Sequence, residues 1–139
     1  MSNDQTKARR DITMAVMNIM DSWDLGSSDM AKVMSLPENV RARAFVKFRE
    51  GREAFPDDEA VMRRAKYILR IEEALRTAYP CNPKMIARWV KQRHRRFGRR
   101  TPLTMILEGG EPGLIAVLAE LDCTFSWDLT GSQPAAYNS

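Results

Sequence analysis

Apolar side chains recur at helical spacing along this chain, and no segment alternates apolar with polar residues as a half-buried strand would. The longest apolar stripe covers residues 61–78, directly after an acidic turn at residues 57–59. Within it, Glu72 and Arg76 stand one helical turn apart, a spacing that supports a helix. The sequence therefore predicts an all-α fold of about seven helices.

Glycine, serine and proline divide the first part of the chain into three shorter helices. We predict a first amphipathic helix that ends near Gly26 and a second helix that Ser27 or Ser28 caps. A third helix is expected after Pro37, with its end at Gly51. The methionines of this region suit either a hydrophobic core or an adaptable binding groove, and the core is the commoner use.

Two cap-and-proline pairs organise the second part of the chain. Asn82-Pro83 and Thr101-Pro102 each offer a side-chain cap followed by proline at the first helical position. The Gly109-Gly110 pair is expected to end the helix that Thr101 begins, and a last apolar helix follows. Residues 126–139 contain no lysine, arginine or helical period, so we expect a loosely ordered tail when the chain is alone.

The positive charge is concentrated in one block between residues 88 and 100. The chain has a net charge of +4, and this block contains seven cations and no acid, so the remaining residues sum to −3. Such a block favours an acidic partner, either nucleic acid or an acidic protein surface, although a solvated helix face is the alternative. The seven are Arg88, Lys91, Arg93, Arg95, Arg96, Arg99 and Arg100.

No residue pattern of an enzyme, cofactor site or metal site stands out. Cys81 and Cys123 lack the spacing of metal ligands and are expected to be free thiols, and His94 is the only histidine. We find no nucleophile–base pair, and the Gly109-Gly110 pair lacks the context of a phosphate loop. The sequence thus predicts a protein that is not an enzyme and has no cofactor and no metal.

The start of the chain lacks the charged and apolar layout of a secretory signal. No apolar run approaches the roughly 20 residues that a bilayer requires. We therefore expect a cytoplasmic protein with no membrane partner.

Cations on the predicted third helix suggest contact with DNA. If the first three helices form a helix-turn-helix, the third would enter the major groove. Arg41, Arg43 and Lys47 would then bind phosphates or guanine edges, and they are our DNA-binding candidates. A solvated face of a small helical unit remains the alternative.

The order of residues from Trp89 to Leu121 resembles the Xre/MbcA/ParS family of antitoxins. The resemblance rests on a tryptophan-led helix, the Gly98-to-Leu103 turn, the Gly109-Gly110 break and a final leucine-rich helix. A Trp23-Asp24-Leu25 motif upstream is similar to the family's Xre-like portion. The family's turn often has two glycines before the arginine, whereas here Arg99 follows Gly98.

The resemblance implies an antitoxin that binds and neutralises a RES-type ADP-ribosyltransferase or NAD-consuming toxin by covering its active site. It implies a helix-turn-helix-like region with a long connecting helix at residues 1–80, a toxin-binding domain at 81–125 and a tail at 126–139. The implied toxin-binding residues are Trp89, Arg99, Arg100, Thr101, Pro102, Trp127, Asp128 and Tyr137.

The tail's aromatic side chains and carboxylates would then mimic NAD in the toxin's pocket, although a tail that touches nothing is the alternative. The resemblance also implies a homo-oligomer or a hetero-oligomer with the toxin, and repression of the pair's own operon through DNA. A stand-alone helix-turn-helix regulator of transcription, with no toxin, is the alternative function.

Overall fold

The computed structural model describes the backbone of residues 2–130 and the side chains of residues 3–122. Within residues 2–130 the chain forms six α-helices and one 3-10 helix, and no strand. The all-α prediction is confirmed. The elements are α1 (Ser2–Ser22), α2 (Ser27–Met34), α3 (Ala42–Glu50), α4 (Glu59–Ala78), α5 (Pro83–Lys91), the 3-10 helix (Arg95–Phe97) and α6 (Pro102–Thr130).

Both predicted cap-and-proline pairs begin a helix. The Asn82 side chain accepts a hydrogen bond from the Met85 N–H at 3.3 Å at the start of α5. The Thr101 hydroxyl accepts one from the Thr104 N–H at 3.0 Å at the start of α6. Because these bonds satisfy N–H groups that lack partners in the first turn, they fix where each helix begins.

The predicted serine cap of α2 is wrong. Gly26 occupies the N-cap position and makes no side-chain bond, while Ser27 and Ser28 already belong to the helix. Local chemistry allowed either serine to cap, but the helix begins one residue earlier than a serine cap would require. The predicted stop of α3 is confirmed at Gly51, whose φ of 76° is left-handed and suits a residue without a Cβ.

The Gly109-Gly110 pair divides α6 into two helical arms, residues 102–109 and 111–130. The second arm includes residues 126–130, so the expectation of a loosely ordered tail is wrong for these five residues. Gly110 has φ 62° and ψ −137°, a conformation essentially confined to glycine. The two arms approach closely at Gly113, because a Cβ there would lie 2.0 Å from the backbone oxygen of Met105. The predicted break is therefore a tight kink between two packed arms.

Ion pairs from α4 hold this kink in place. The Arg63 guanidinium donates to the Glu111 carboxylate at 2.9 and 3.1 Å, and Arg64 lies 3.9 Å from the same group. The hydrogen bond from Arg63 lowers the pKa of Glu111. The lowered pKa means that this contact stabilises the fold at higher pH and weakens as pH falls and Glu111 is protonated.

The span Pro102–Asp122 is long and apolar enough, by length and composition alone, to cross a membrane. This finding differs from the expectation that no apolar run approaches the length of a bilayer span. In the structure, Ile106, Leu114 and Val117 are buried in the protein core. In the most apolar window of this span, 33% is buried, so core packing accounts for part of its apolar character.

One hydrophobic core runs through both predicted regions of the chain. Its largest fully buried side chains come from α1, α2, α3, α4 and α6 and from the connections after α1 and before α4. They include Met17, Met20, Met30 and Met34, so these methionines fill the core. The division at residue 80 stays a prediction, and the two regions share their interior.

The Trp23-Asp24-Leu25 motif connects α1 to the C-terminal part of the fold. Trp23 and Leu25 are buried, whereas Asp24 is exposed at a left-handed φ of 61°. Aspartate tolerates that conformation better than most residues. The Asp24 carboxylate forms an ion pair with Lys91 at the end of α5, so the motif contributes to the core and to the contact between regions.

Candidate functional site

Residues 94–100 form a closed turn between α5 and α6. The His94 N–H donates to the Arg100 carbonyl at 3.1 Å, and the Arg99 N–H donates to the His94 carbonyl at 3.0 Å. Between them lie the 3-10 helix and two consecutive left-handed residues, Gly98 at φ 64° and Arg99 at φ 66°. Backbone bonds thus fix the direction in which the turn presents its side chains.

An aromatic cluster supports this turn. The Trp89 ring lies 4.9 Å from the His94 ring and 6.3 Å from the Phe97 ring, between ring centroids. The His94 Nε2 is 3.1 Å from the Trp89 carbonyl oxygen. Phe97 is buried, while Trp89 is half-buried and keeps part of its surface open.

A surface cleft of about 310 Å³ lies beside this cluster. We name it the Trp89 cleft. At the edge of the cleft, an ion pair between Arg96 and Glu120 at 2.9 Å joins the turn to α6. Its lining residues come from several elements: Tyr79, Trp89, His94, Arg95, Arg96, Phe97, Glu120 and Leu121.

The turn and helix start hold the four contiguous candidates in different environments. Arg99 and Arg100 are exposed, and Arg100 forms an ion pair with Glu108 at 2.7 Å. Thr101 is half-buried and its hydroxyl caps α6. Pro102 is buried at the first helical position, so in this conformation it starts the helix and offers no surface contact.

The remaining toxin-binding candidates lie outside the described side chains. These are Trp127, Asp128 and Tyr137 in the C-terminal part of the chain. Their predicted role stays a prediction.

The basic block divides into two sets. Three of its cations form ion pairs with acids from elsewhere in the chain: Lys91 with Asp24, Arg96 with Glu120 and Arg100 with Glu108. The other four form no ion pair with any residue in the range 3–122, and all four are exposed. They are Arg88, Arg93, Arg95 and Arg99, and we name them the unpaired arginine set.

Sequence reasoning missed several residues of the Trp89 cleft. Phe97 belongs to the turn motif, and its closeness to Trp89 in the sequence could have indicated that it lines the cleft. Tyr79 and Glu120 gave no such signal, because they come from the connection after α4 and from α6 and meet the cleft only through tertiary packing.

The three DNA-binding candidates meet at a second groove. Arg41, Arg43 and Lys47 are exposed, line a groove of about 360 Å³ and form no ion pair with residues 3–122. The connection between α2 and α3, residues 35–41, is longer than the three- or four-residue turn of a typical helix-turn-helix. Contact with DNA stays a prediction for these residues.

Residues 81–124 match the antitoxin Xre/MbcA/ParS C-terminal toxin-binding domain. This match supports an Xre/MbcA/ParS-type antitoxin. The match covers α5, the closed turn and α6 as far as residue 124, and so includes most of the Trp89 cleft. A search of curated proteins gives no match.

We expect Arg99→Gly to stabilise the antitoxin and Gly98→Ala to destabilise it. A non-glycine residue in the left-handed region costs about 1–2 kcal/mol. Replacing it by glycine removes this cost, but the gain is partly offset because glycine gives the unfolded chain more conformational entropy. The free energy of unfolding should thus rise by up to about 1 kcal/mol for Arg99→Gly and fall by about 1 kcal/mol for Gly98→Ala.

Urea denaturation of the three proteins measures both changes. Apart from the two neighbouring residues in the chain, no atom lies within 4 Å of a Cβ at Gly98. The change in stability of Gly98→Ala therefore reflects the left-handed backbone and not a steric clash. A shift in the same direction for both variants would contradict the pair of left-handed residues.

Proposed function

We propose that this antitoxin binds and neutralises a RES-type ADP-ribosyltransferase or NAD-consuming toxin in the cytoplasm, in a hetero-oligomer, by covering the toxin's active site. The observation that carries the proposal is the match of residues 81–124 to a toxin-binding domain, together with the Trp89 cleft in the same region. The antitoxin acts by contact and not by catalysis.

The geometry of the turn favours tight binding. Its backbone bonds between His94, Arg99 and Arg100 fix the loop before a partner arrives, so binding costs little conformational freedom. Trp89 offers a half-buried aromatic surface, and tryptophan is among the residues that most often dominate a protein interface. Exposed arginines beside it can bind carboxylates through paired hydrogen bonds.

We assign the blocking of the active site to the tail, residues 126–139. The C-terminal arm of α6 passes the Trp89 cleft at Glu120 and Leu121 and continues to residue 130. A helix rises about 1.5 Å per residue, so the tail begins at Ser126 roughly 8 Å along α6 from Leu121, which suits it to reach a neighbouring part of the toxin. There the aromatic rings of Trp127 and Tyr137 would take the place of the stacked rings of NAD, and the Asp128 carboxylate would take the place of its phosphate charge.

Truncation of the antitoxin after Phe125 should separate binding from inhibition. We expect the truncated chain to bind the toxin, because α5, the closed turn and the cleft remain, but to leave NAD consumption largely uninhibited. NAD consumption by the purified toxin is measured against increasing antitoxin, and the affinity of each chain is measured by calorimetry.

A full-length chain with Trp127→Ala, Asp128→Ala and Tyr137→Ala is the matched control, because it removes the proposed blocking side chains without shortening the chain. Full inhibition by the truncated chain at saturating concentration would assign the blocking to the helical body. A full-length chain that neither binds nor inhibits any RES-type toxin would contradict the proposed function.

A second candidate function, repression of the operon through DNA, rests on the groove of Arg41, Arg43 and Lys47. We expect the change of all three to alanine to weaken operator binding and to flatten its salt dependence. The slope of log affinity against log salt should fall by roughly one unit for each phosphate that the variant no longer binds. Gel-shift titrations at several salt concentrations measure it.

Toxin inhibition by this triple variant should equal that of the parent chain, and this equality would show that the variant is folded. Unchanged operator binding across all salt concentrations would exclude the groove. Operator binding with no toxin partner would favour the stand-alone regulator.

A further inference from the structure

The unpaired arginine set is distinguished from the rest of the basic block by what surrounds it. Folding brings Asp24, Glu108 and Glu120 to three of the seven cations and pairs them. No acid within residues 3–122 forms an ion pair with the other four arginines of the block, and all four are exposed. The fold therefore leaves a positive charge of four on this part of the surface.

The position of the set points to the Trp89 cleft. Arg95 lines the cleft itself, and Arg88 precedes Trp89 on α5. Arg93 directly precedes His94, the residue whose backbone closes the turn. Arg99 lies in that turn, and a hydrogen bond from its own N–H to the His94 carbonyl fixes its backbone. One arginine of the set thus lines the cleft, and the other three are sequence neighbours of residues that form the cleft or close the turn.

We propose that the unpaired arginine set binds a cluster of aspartate and glutamate side chains on the toxin, next to the surface that enters the Trp89 cleft. This inference rests on the proposed function and identifies the chemistry of the partner surface. Guanidinium groups bind carboxylates through paired hydrogen bonds, and complementary charge accelerates association of the two proteins.

One observation favours an acidic protein over nucleic acid at this surface. The four arginines lie within residues 81–124, the range that matches a toxin-binding domain.

The groove of Arg41, Arg43 and Lys47 is the better place for phosphates. It gathers three exposed cations that form no ion pair with residues 3–122, and a single acid, Glu53, lines it beside them. It also lies outside the range that matches a toxin-binding domain. The two basic surfaces therefore suit different partners.

Two matched triple variants test the inference. The first changes Arg88, Arg93 and Arg95 to glutamine, and the second changes Arg41, Arg43 and Lys47 to glutamine. All six side chains are exposed and unpaired within residues 3–122, so both variants remove the same charge at little expected cost in folding. Arg99 stays unchanged because it holds a left-handed position in the turn.

Association rates of the full-length chains with the purified toxin are measured at several salt concentrations. At low salt we expect the first variant to associate at least about tenfold more slowly than the parent, with a weaker salt dependence. The second variant should stay within about twofold of the parent. At high salt the three rates should converge, because screening removes the long-range attraction.

Equal slowing by both variants would assign the effect to net charge and would overturn the inference. Unchanged rates for the first variant would overturn it as well, while leaving the proposed function intact because the parent still binds. If the first variant instead weakens only operator DNA binding, the set is a nucleic-acid site and the inference is wrong. Failure of the parent chain itself to bind the toxin would overturn the proposed function, and the inference with it.

Discussion

Replacement of Gly113 by alanine is expected to lower the free energy of unfolding of the antitoxin by about 3 kcal/mol, the upper part of the range for overpacked sites. A Cβ at this position would lie 2.0 Å from the Met105 carbonyl oxygen and 2.8 Å from its carbonyl carbon. These are backbone atoms, so no side-chain rotation relieves the clash. The two arms of α6 would have to separate, which would disturb Ile106 and Leu114 in the core.

Urea denaturation followed by circular dichroism measures this decrease, and Gly109→Ala is the matched control. Gly109 lies on the same helix, and no atom lies within 4 Å of a Cβ there. Alanine at that position should raise the free energy of unfolding by about 0.5–1 kcal/mol, since glycine is the weaker helix former. Equal stability of Gly113→Ala and the parent would contradict the close approach of the two arms.

Replacement of Trp89 by alanine is expected to weaken toxin binding by at least about thirtyfold, which corresponds to the 2 kcal/mol or more of a tryptophan at the centre of an interface. The side chain supplies a wall of the Trp89 cleft and supports His94 and Phe97 in the turn. Its removal would take away the contact surface and loosen the turn that presents the arginines. Calorimetric titration with the toxin measures the affinity.

Two further variants separate these effects from a general decrease in apolar surface. Trp89→Phe keeps an aromatic ring at the turn and should retain more affinity than Trp89→Ala. Val46→Ala removes an exposed apolar side chain from α3, on a helix outside the toxin-binding domain, and should leave binding unchanged. Parental affinity for Trp89→Ala, in a chain with parental circular dichroism, would exclude the cleft as the binding surface.

Features that depend on neighbouring residues along the chain could be predicted from the amino-acid sequence. Helical periodicity predicted the all-α class, because side chains three and four residues apart share one helix face. Asn82, Thr101 and Gly51 predicted helix boundaries, because caps and left-handed stops act within one turn. The motif around Trp89 and Gly98 likewise predicted the toxin-binding domain, since its residues are close in sequence.

Which of those residues are available to a partner depends on how the helices pack against one another. Pro102 stands two residues from Arg100 in sequence, yet it is buried while Arg100 is exposed. The seven cations of the basic block are not distinguished by the sequence. In the fold, Asp24, Glu108 and Glu120 form ion pairs with three of them. Charge pairing and burial depend on distances between segments far apart in the chain, and a local pattern contains no information about those distances.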